Sequence, residues 1–163
     1  MIASFFVWPF LLSYALGQGN CTKKDGSTRP DCPQAIAFFR GFQAALSSND
    51  RSQVAALVSY PVRITLRHKP ARIKNAAQFL AHYDEIFGTR IRCAILNATD
   101  EDVWGNWQGF TVDGGPVWFD GIIPPGEHPD IHSPDYWSRY PLKIVAINND
   151  AYFKCKSAPE SPR

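Results

Sequence analysis

Residues 2–16 carry no charged side chain and consist mainly of large apolar residues, including Phe5, Phe6, Trp8, Phe10 and Leu11. This run bears on the compartment in which the rest of the chain must fold. A helix needs about 20 apolar residues to cross the hydrocarbon of a bilayer. The run is shorter than that, and Pro9 interrupts it. It fits the hydrophobic region of a secretory signal peptide. Ala15-Leu16-Gly17 supplies small residues for a peptidase, so cleavage is expected after Gly17. No Lys or Arg precedes the apolar run, which departs from the usual pattern. An uncleaved anchor is the alternative. A lipoprotein signal is not expected, because Gln18-Gly19-Asn20 precedes Cys21 in place of Leu and small residues. The protein is therefore expected to be secreted or periplasmic, with no stable membrane span after cleavage.

Four cysteines follow: Cys21, Cys32, Cys93 and Cys155. An even count in a small exported chain suggests two disulfides, and sequence alone leaves all three pairings open. Cys21–Cys32 with Cys93–Cys155 is the favoured expectation. The first bridge would tie the polar lead-in to the first helix. The second would close a long loop and restrict the unfolded chain more. Zinc is a poor alternative, since no C-x-x-C pair occurs. Asn20-Cys21-Thr22 and Asn97-Ala98-Thr99 match the glycosylation acceptor pattern, which matters only in a eukaryotic host.

The chain is long enough for one domain. Aromatic residues make up 13% of it, and such rings help a small domain fill its core. The formal net charge is only +2, and no run of like charge appears, which argues against a nucleic-acid partner. The expected layout is a signal peptide over 1–17, a polar lead-in over 18–32, one domain over 33–157 and a disordered tail over 158–163.

Pro33 suits the first turn of a helix. Ile36, Phe39, Phe42, Ala45 and Leu46 then recur at helical spacing up to Ser48. Asp50 is placed to cap a second helix over 53–58, which Pro61 ends. Val62, Ile64 and Leu66 alternate with Arg63, Thr65 and Arg67, as in a half-buried strand. Asn75 caps a third helix whose apolar stripe is Phe79, Leu80, Tyr83, Ile86 and Phe87. Residues 91–97 read equally as a helical turn or a strand. Segments 107–112 and 116–122 are expected to pair as strands through the turn signal Asp113-Gly114-Gly115. Segment 142–148 is apolar on both faces and is expected at the centre of the sheet, followed by a short last strand over 152–155. A Pro-rich loop occupies 123–140. The fold class is α+β, with N-terminal helices packed against a curved antiparallel sheet.

Three local patterns accompany this order: Phe42-Gln43-Ala44-Ala45-Leu46 at the end of the first helix, Val58-Ser59-Tyr60-Pro61-Val62 into the first strand, and Gly115-Pro116-Val117-Trp118-Phe119. Together they make residues 33–156 resemble the nuclear transport factor 2-like superfamily. That resemblance implies a cone, with a curved sheet wrapped round a long helix. The chain is also similar to small exported bacterial proteins that carry Tyr83-Asp84-x-Ile86-Phe87 and Asn106-Trp107-x-Gly109. The superfamily includes isomerases, dehydratases, ligand-binding domains and protein-interaction modules, so fold does not fix function.

Candidate sites follow from chemistry. Asp84 on the third helix, beside His82 and Tyr83, would serve as a general base if an apolar cavity raised its pKa. Asp120 is the second carboxylate candidate. Trp118 and Asp120 share one strand face, with Trp107, Gln108 and Asn106 on the preceding strand or its approach. Such an aromatic surface with amides and a carboxylate suits a small polar ligand. Trp107, Gln108, Trp118, Tyr83 and Arg63 are the ligand-binding candidates. The plainer alternatives are that the Trp rings are core and that Arg63 and Arg67 keep an edge strand soluble. His128, Asp130 and His132 are donors of metal-ligand type, but Pro129 and Pro134 interrupt them and nothing orients the imidazoles. No metal and no cofactor is expected.

There is no G-x-S-x-G, no P-loop and no H-E-x-x-H. The pattern favours an exported binding module for a small ligand or a protein partner over an enzyme. A cofactor-free isomerase or lyase using a pocket carboxylate is the first alternative. An inhibitor or immunity-type protein acting through 123–140 is the second. A homodimer paired through the sheet is compatible with either.

Overall fold

The computed structural model describes residues 32–66, 68–106, 108–112, 114–130, 133 and 139–149. Helix α1 runs over Cys32–Ser47. Its buried positions Ala35, Ile36, Phe39, Phe42, Ala45 and Leu46 follow the helical period, so one stripe faces the core. Asn49 adopts a left-handed φ of 56° and turns the chain. Asp50 then caps α2 (Arg51–Ala56), its carboxylate accepting the Gln53 amide at 2.9 Å.

The second helix lies two residues earlier than expected. It ends at Ala56, and strand β1 (Val58–Leu66) begins two residues later. Pro61 is therefore not a helix stop but lies inside β1, after a cis Tyr60–Pro61 bond. In β1, Val62 and Ile64 are buried and Arg63 is exposed, as the alternation predicts. Strand β2 (Lys69–Ile73) returns antiparallel to it.

Asn75 caps α3 (Ala76–Ala81) by accepting the Gln78 amide at 2.9 Å. The expected third helix is divided here: α4 (Tyr83–Ile86) follows a break at His82. The apolar stripe survives the break, since Phe79, Tyr83, Ile86 and Phe87 are all buried. Residues 91–96 resolve as helix, within α5 (Thr89–Leu96), and Asn97 is its C-cap. Cys93 on α5 carries a disulfide bond. Both expected pairings involve residues outside the described side chains.

A short 3₁₀ turn (Asp100–Asp102) leads to β3 (Trp104–Asn106), β4 (Gly109–Thr111), β5 (Val117–Gly121) and β6 (Leu142–Ile147). The expected strand over 107–112 is shorter: β4 covers only Gly109–Thr111, and Gln108 is a turn residue. Gly109 sits at that turn with φ of 117°, and a Cβ there would lie 2.7 Å from the Phe119 carbonyl, so only glycine fits. Gly114 and Gly115, with φ of 78° and 70°, make the expected turn between β4 and β5.

The strands form one six-stranded sheet in the order β2-β1-β6-β5-β4-β3. It is mixed and not wholly antiparallel, because β1 and β6 run parallel. β6 lies near the middle of the sheet, as expected, and β1 is an interior strand and not an edge. The helices pack on one face. There Val117, Ile147 and Ile64 line up across three strands, and Phe119 meets Phe38 and Phe110 at centroid distances of 5.0 and 5.8 Å. The core is continuous from α1 through the sheet. No described helix is long and apolar enough to cross a membrane. The expected strand over 152–155 lies outside the described residues.

Candidate functional site on the outer sheet face

Side chains directly opposite one another in a ladder share a face of the sheet. The register therefore traces one row across all six strands. Trp104 on β3 faces Thr111 on β4, and Thr111 faces Trp118 on β5. Trp118 faces Ala146 on β6, Ala146 faces Arg63 on β1, and Arg63 faces Arg72 on β2. This row is on the side away from the helices. At a strand spacing of about 4.8 Å, Trp118 and Arg63 stand about 10 Å apart with only an alanine between them.

A bulge keeps both faces consistent. Register shifts between Trp118 and Phe119, so Ala146 pairs with Trp118 while Ile144 pairs with Phe119. The extra residue, Val145, lets β6 keep Ile144 and Ile147 in the core and still turn Ala146 outward.

At one end of the row the Trp104 and Trp118 rings meet edge to face, with centroids 5.6 Å apart. Between them Thr111 is fully buried, and its hydroxyl donates to the Val117 carbonyl at 2.7 Å. The polar atom beneath the rings is thus satisfied, and the rings remain half-exposed. Gly115 leaves room at the ring edge, since a Cβ there would lie 3.4 Å from Trp118 Nε1. Asp120, half-buried, is two residues on from Trp118 and faces Lys143; its Oδ1 accepts the Gly121 amide at 2.9 Å. Gln108 is exposed at the β3–β4 turn, with its backbone N–H donating to Asn106 Oδ1 at 2.8 Å.

The other end of the row is basic. Arg63 and Arg72 are exposed and directly opposed, and Lys69 and Lys74 are exposed on the same hairpin. Residues 63–74 hold Arg63, Arg67, Lys69, Arg72 and Lys74 with no acid, and the acid-free stretch extends from Arg51 to Tyr83. No contiguous run of like charge forms, as expected, but the cations form a cluster on this hairpin. The near-zero net charge hid it: outside this hairpin the chain has 12 of its 17 Lys and Arg against all 15 Asp and Glu.

The structure brings Trp118, Asp120 and Arg63 onto one face and sends other candidates elsewhere. Tyr83 is 1% exposed in the core among Phe79 and Phe87, on the helical side. Its hydroxyl is raised from the ordinary tyrosine value by burial, with Arg92 and Arg51 pulling it back. Asp84 does not sit in an apolar cavity. Its side chain is 78% exposed and forms a two-pronged ion pair with Arg51 at 2.7 and 3.0 Å. A carboxylate so placed lacks the desolvation that a neutral-pH general base needs.

Trp107 and His132 lie outside the described residues. His128 and Asp130 are exposed, and among the described residues no group of three potential ligands could hold a metal ion. In the 123–130 segment, Tyr140 donates to Glu127 at 2.8 Å, which ties the loop back to the start of β6. Trp104 and Arg72 are the site residues that sequence reasoning missed. Trp104 is on a three-residue strand too short to show a period, and Arg72 is on a strand that Pro70 disguised. A scan against family models, a search of curated proteins and a search of solved structures each returned no match.

Proposed function

We propose that this chain is an exported, non-catalytic binding module that holds its ligand on the outer face of the sheet. The observation that carries the proposal is the single row in which a half-exposed tryptophan pair and an exposed arginine pair flank Ala146. Large rings give contact area with little rotamer freedom to lose, and arginines orient a polar ligand through fixed donors. The uncharged segment over 2–16 and the four cysteines support export to a secreted or periplasmic location. A long helix laid against a curved sheet, as in the nuclear transport factor 2-like cone, is the architecture we favour, with Cys21–Cys32 and Cys93–Cys155 as its bridges. The exposed, ion-paired state of Asp84 weighs against the isomerase or lyase alternative.

Native mass spectrometry on protein recovered from the exported fraction of its host tests this reading. The expected result is a stoichiometric adduct on the wild-type chain that is absent from the Trp118→Ala variant. An adduct retained in full by that variant would place binding elsewhere and overturn the proposal.

A further inference from the structure

We infer that the ligand of this face is an acidic oligosaccharide, with sugar rings laid on the Trp104–Trp118 pair and carboxylates gripped by Arg63 and Arg72. The inference rests on the sheet-face reading proposed above and adds the chemical class.

Charge is the first argument. Arg63 and Arg72 are exposed and opposed in the ladder, where like charges repel. Neither they nor Lys69 and Lys74 form an ion pair with any described residue. Four of the six described cations elsewhere are engaged, Arg40 with Asp100, Arg51 with Asp84, Arg92 with the Leu46 carbonyl and Lys143 with the Ala56 carbonyl, while Arg90 and Arg139 stand exposed and apart from one another in sequence. The hairpin gathers four exposed cations without an ion pair in one place, and the two adjacent guanidinium forks of Arg63 and Arg72 match a carboxylate group bidentately.

The separation of charge from aromatic surface is the second argument. A saccharide offers apolar C–H faces with hydroxyl edges, and acidic sugars add carboxylates at intervals. Trp104 and Trp118 supply the apolar platform about 10 Å or more from the arginines, with Ala146 as the low floor between them. Asp120, on the Trp118 side of the face, can accept from sugar hydroxyls.

A single nucleic-acid strand fits less well. It carries a phosphate at each nucleotide and needs cations along its path. At the aromatic end it would meet Asp120, while the neighbouring Lys143 is turned to the Ala56 carbonyl at 2.7 Å. A bilayer surface also fits less well, because Ile123 is the one large apolar side chain exposed among the described residues.

Isothermal titration of the protein recovered from the exported fraction tests this with four-unit oligogalacturonate, alginate and hyaluronan, neutral cellotetraose, and oligothymidylate. At least one acidic glycan is expected to bind, with cellotetraose roughly tenfold weaker or more. Arg63→Ala with Arg72→Ala should weaken acidic binding by at least roughly tenfold, and the double Lys variant should recover part of it. An unchanged melting temperature will show that the Ala variant is folded. The inference is overturned if no acidic glycan binds, if the double Ala variant binds as well as wild type, or if oligothymidylate binds tightest. Should cellotetraose match the acidic glycans and Trp118→Ala abolish both, the charge inference falls and the sheet-face reading stands. Should Trp118→Ala change nothing, the sheet-face reading itself falls.

Discussion

Trp118 and Arg63, 55 positions apart in the chain, both stand beside Ala146 on the outer face of the sheet. The arrangement depends on the parallel pairing of β1 with β6, which inserts the last described strand between β5, the strand before it in the chain, and β1, the first. Ala146 is the smallest member of the row and leaves the gap open. Ala146→Gln would fill that gap from a half-exposed position. It should lower ligand affinity about tenfold while changing stability by no more than about 0.5 kcal/mol, as judged by titration and denaturant melts.

The opposed arginines predict a trade between stability and binding. Arg72→Glu converts a repulsive cross-strand pair into an attractive one. It should stabilise the ligand-free protein by a few tenths to about 1 kcal/mol and abolish anion binding. Urea unfolding at low ionic strength reads the first effect. A destabilised Arg72→Glu protein would mean that Arg72 has a structural partner.

Phe119 joins the sheet to α1, meeting Phe38, Phe39 and Phe110 from a fully buried position. Phe119→Ala should cost about 3–5 kcal/mol in equilibrium unfolding, because the neighbouring rings cannot close the cavity. Asp84→Asn removes only an exposed ion pair and should cost less than about 1 kcal/mol, with no change in ligand binding. Loss of binding in Asp84→Asn would revive the helix-side carboxylate as a functional group.

Alkaline pH should loosen the structure through Tyr60. Burial pushes its hydroxyl up to about 12 from 10.0, and the hydroxyl donates to the Ala55 carbonyl at 3.1 Å. A folded pKa above the unfolded one means that the unfolded chain gives up its proton first. The stabilising contribution is therefore complete below about pH 10 and is lost as pH rises toward 12. Denaturant melts across this range should show a fall in stability that is smaller in Tyr60→Phe. Equal falls in both proteins would assign the effect to other groups.

Much of the helical half was legible because caps and periodicity are local signals. Asp50 and Asn75 cap where expected, and the α1 stripe is buried as its spacing predicts. The Gly114-Gly115 turn was legible for the same reason. The misreadings have non-local causes. Pro61 reads as a helix stop, yet tertiary pairing holds it within β1. Residues 69–73 and 104–106 are strands only because neighbours pair with them, and neither shows a clear period. The site was half legible for the same reason: Trp118, Asp120 and Arg63 could be chosen by type, but only the β1–β6 pairing brings them to one face.

The most direct test is chemical-shift mapping of the indole N–H signals of Trp104 and Trp118 and the Nε–H signals of Arg63 and Arg72 during titration with the three acidic oligosaccharides. The account predicts that these four signals move together, with one saturation curve, while amides of buried α1 residues such as Phe39 and Phe42 stay still. Binding that shifts the helix side around Asp84, or that leaves all four signals unmoved at saturation, would contradict it.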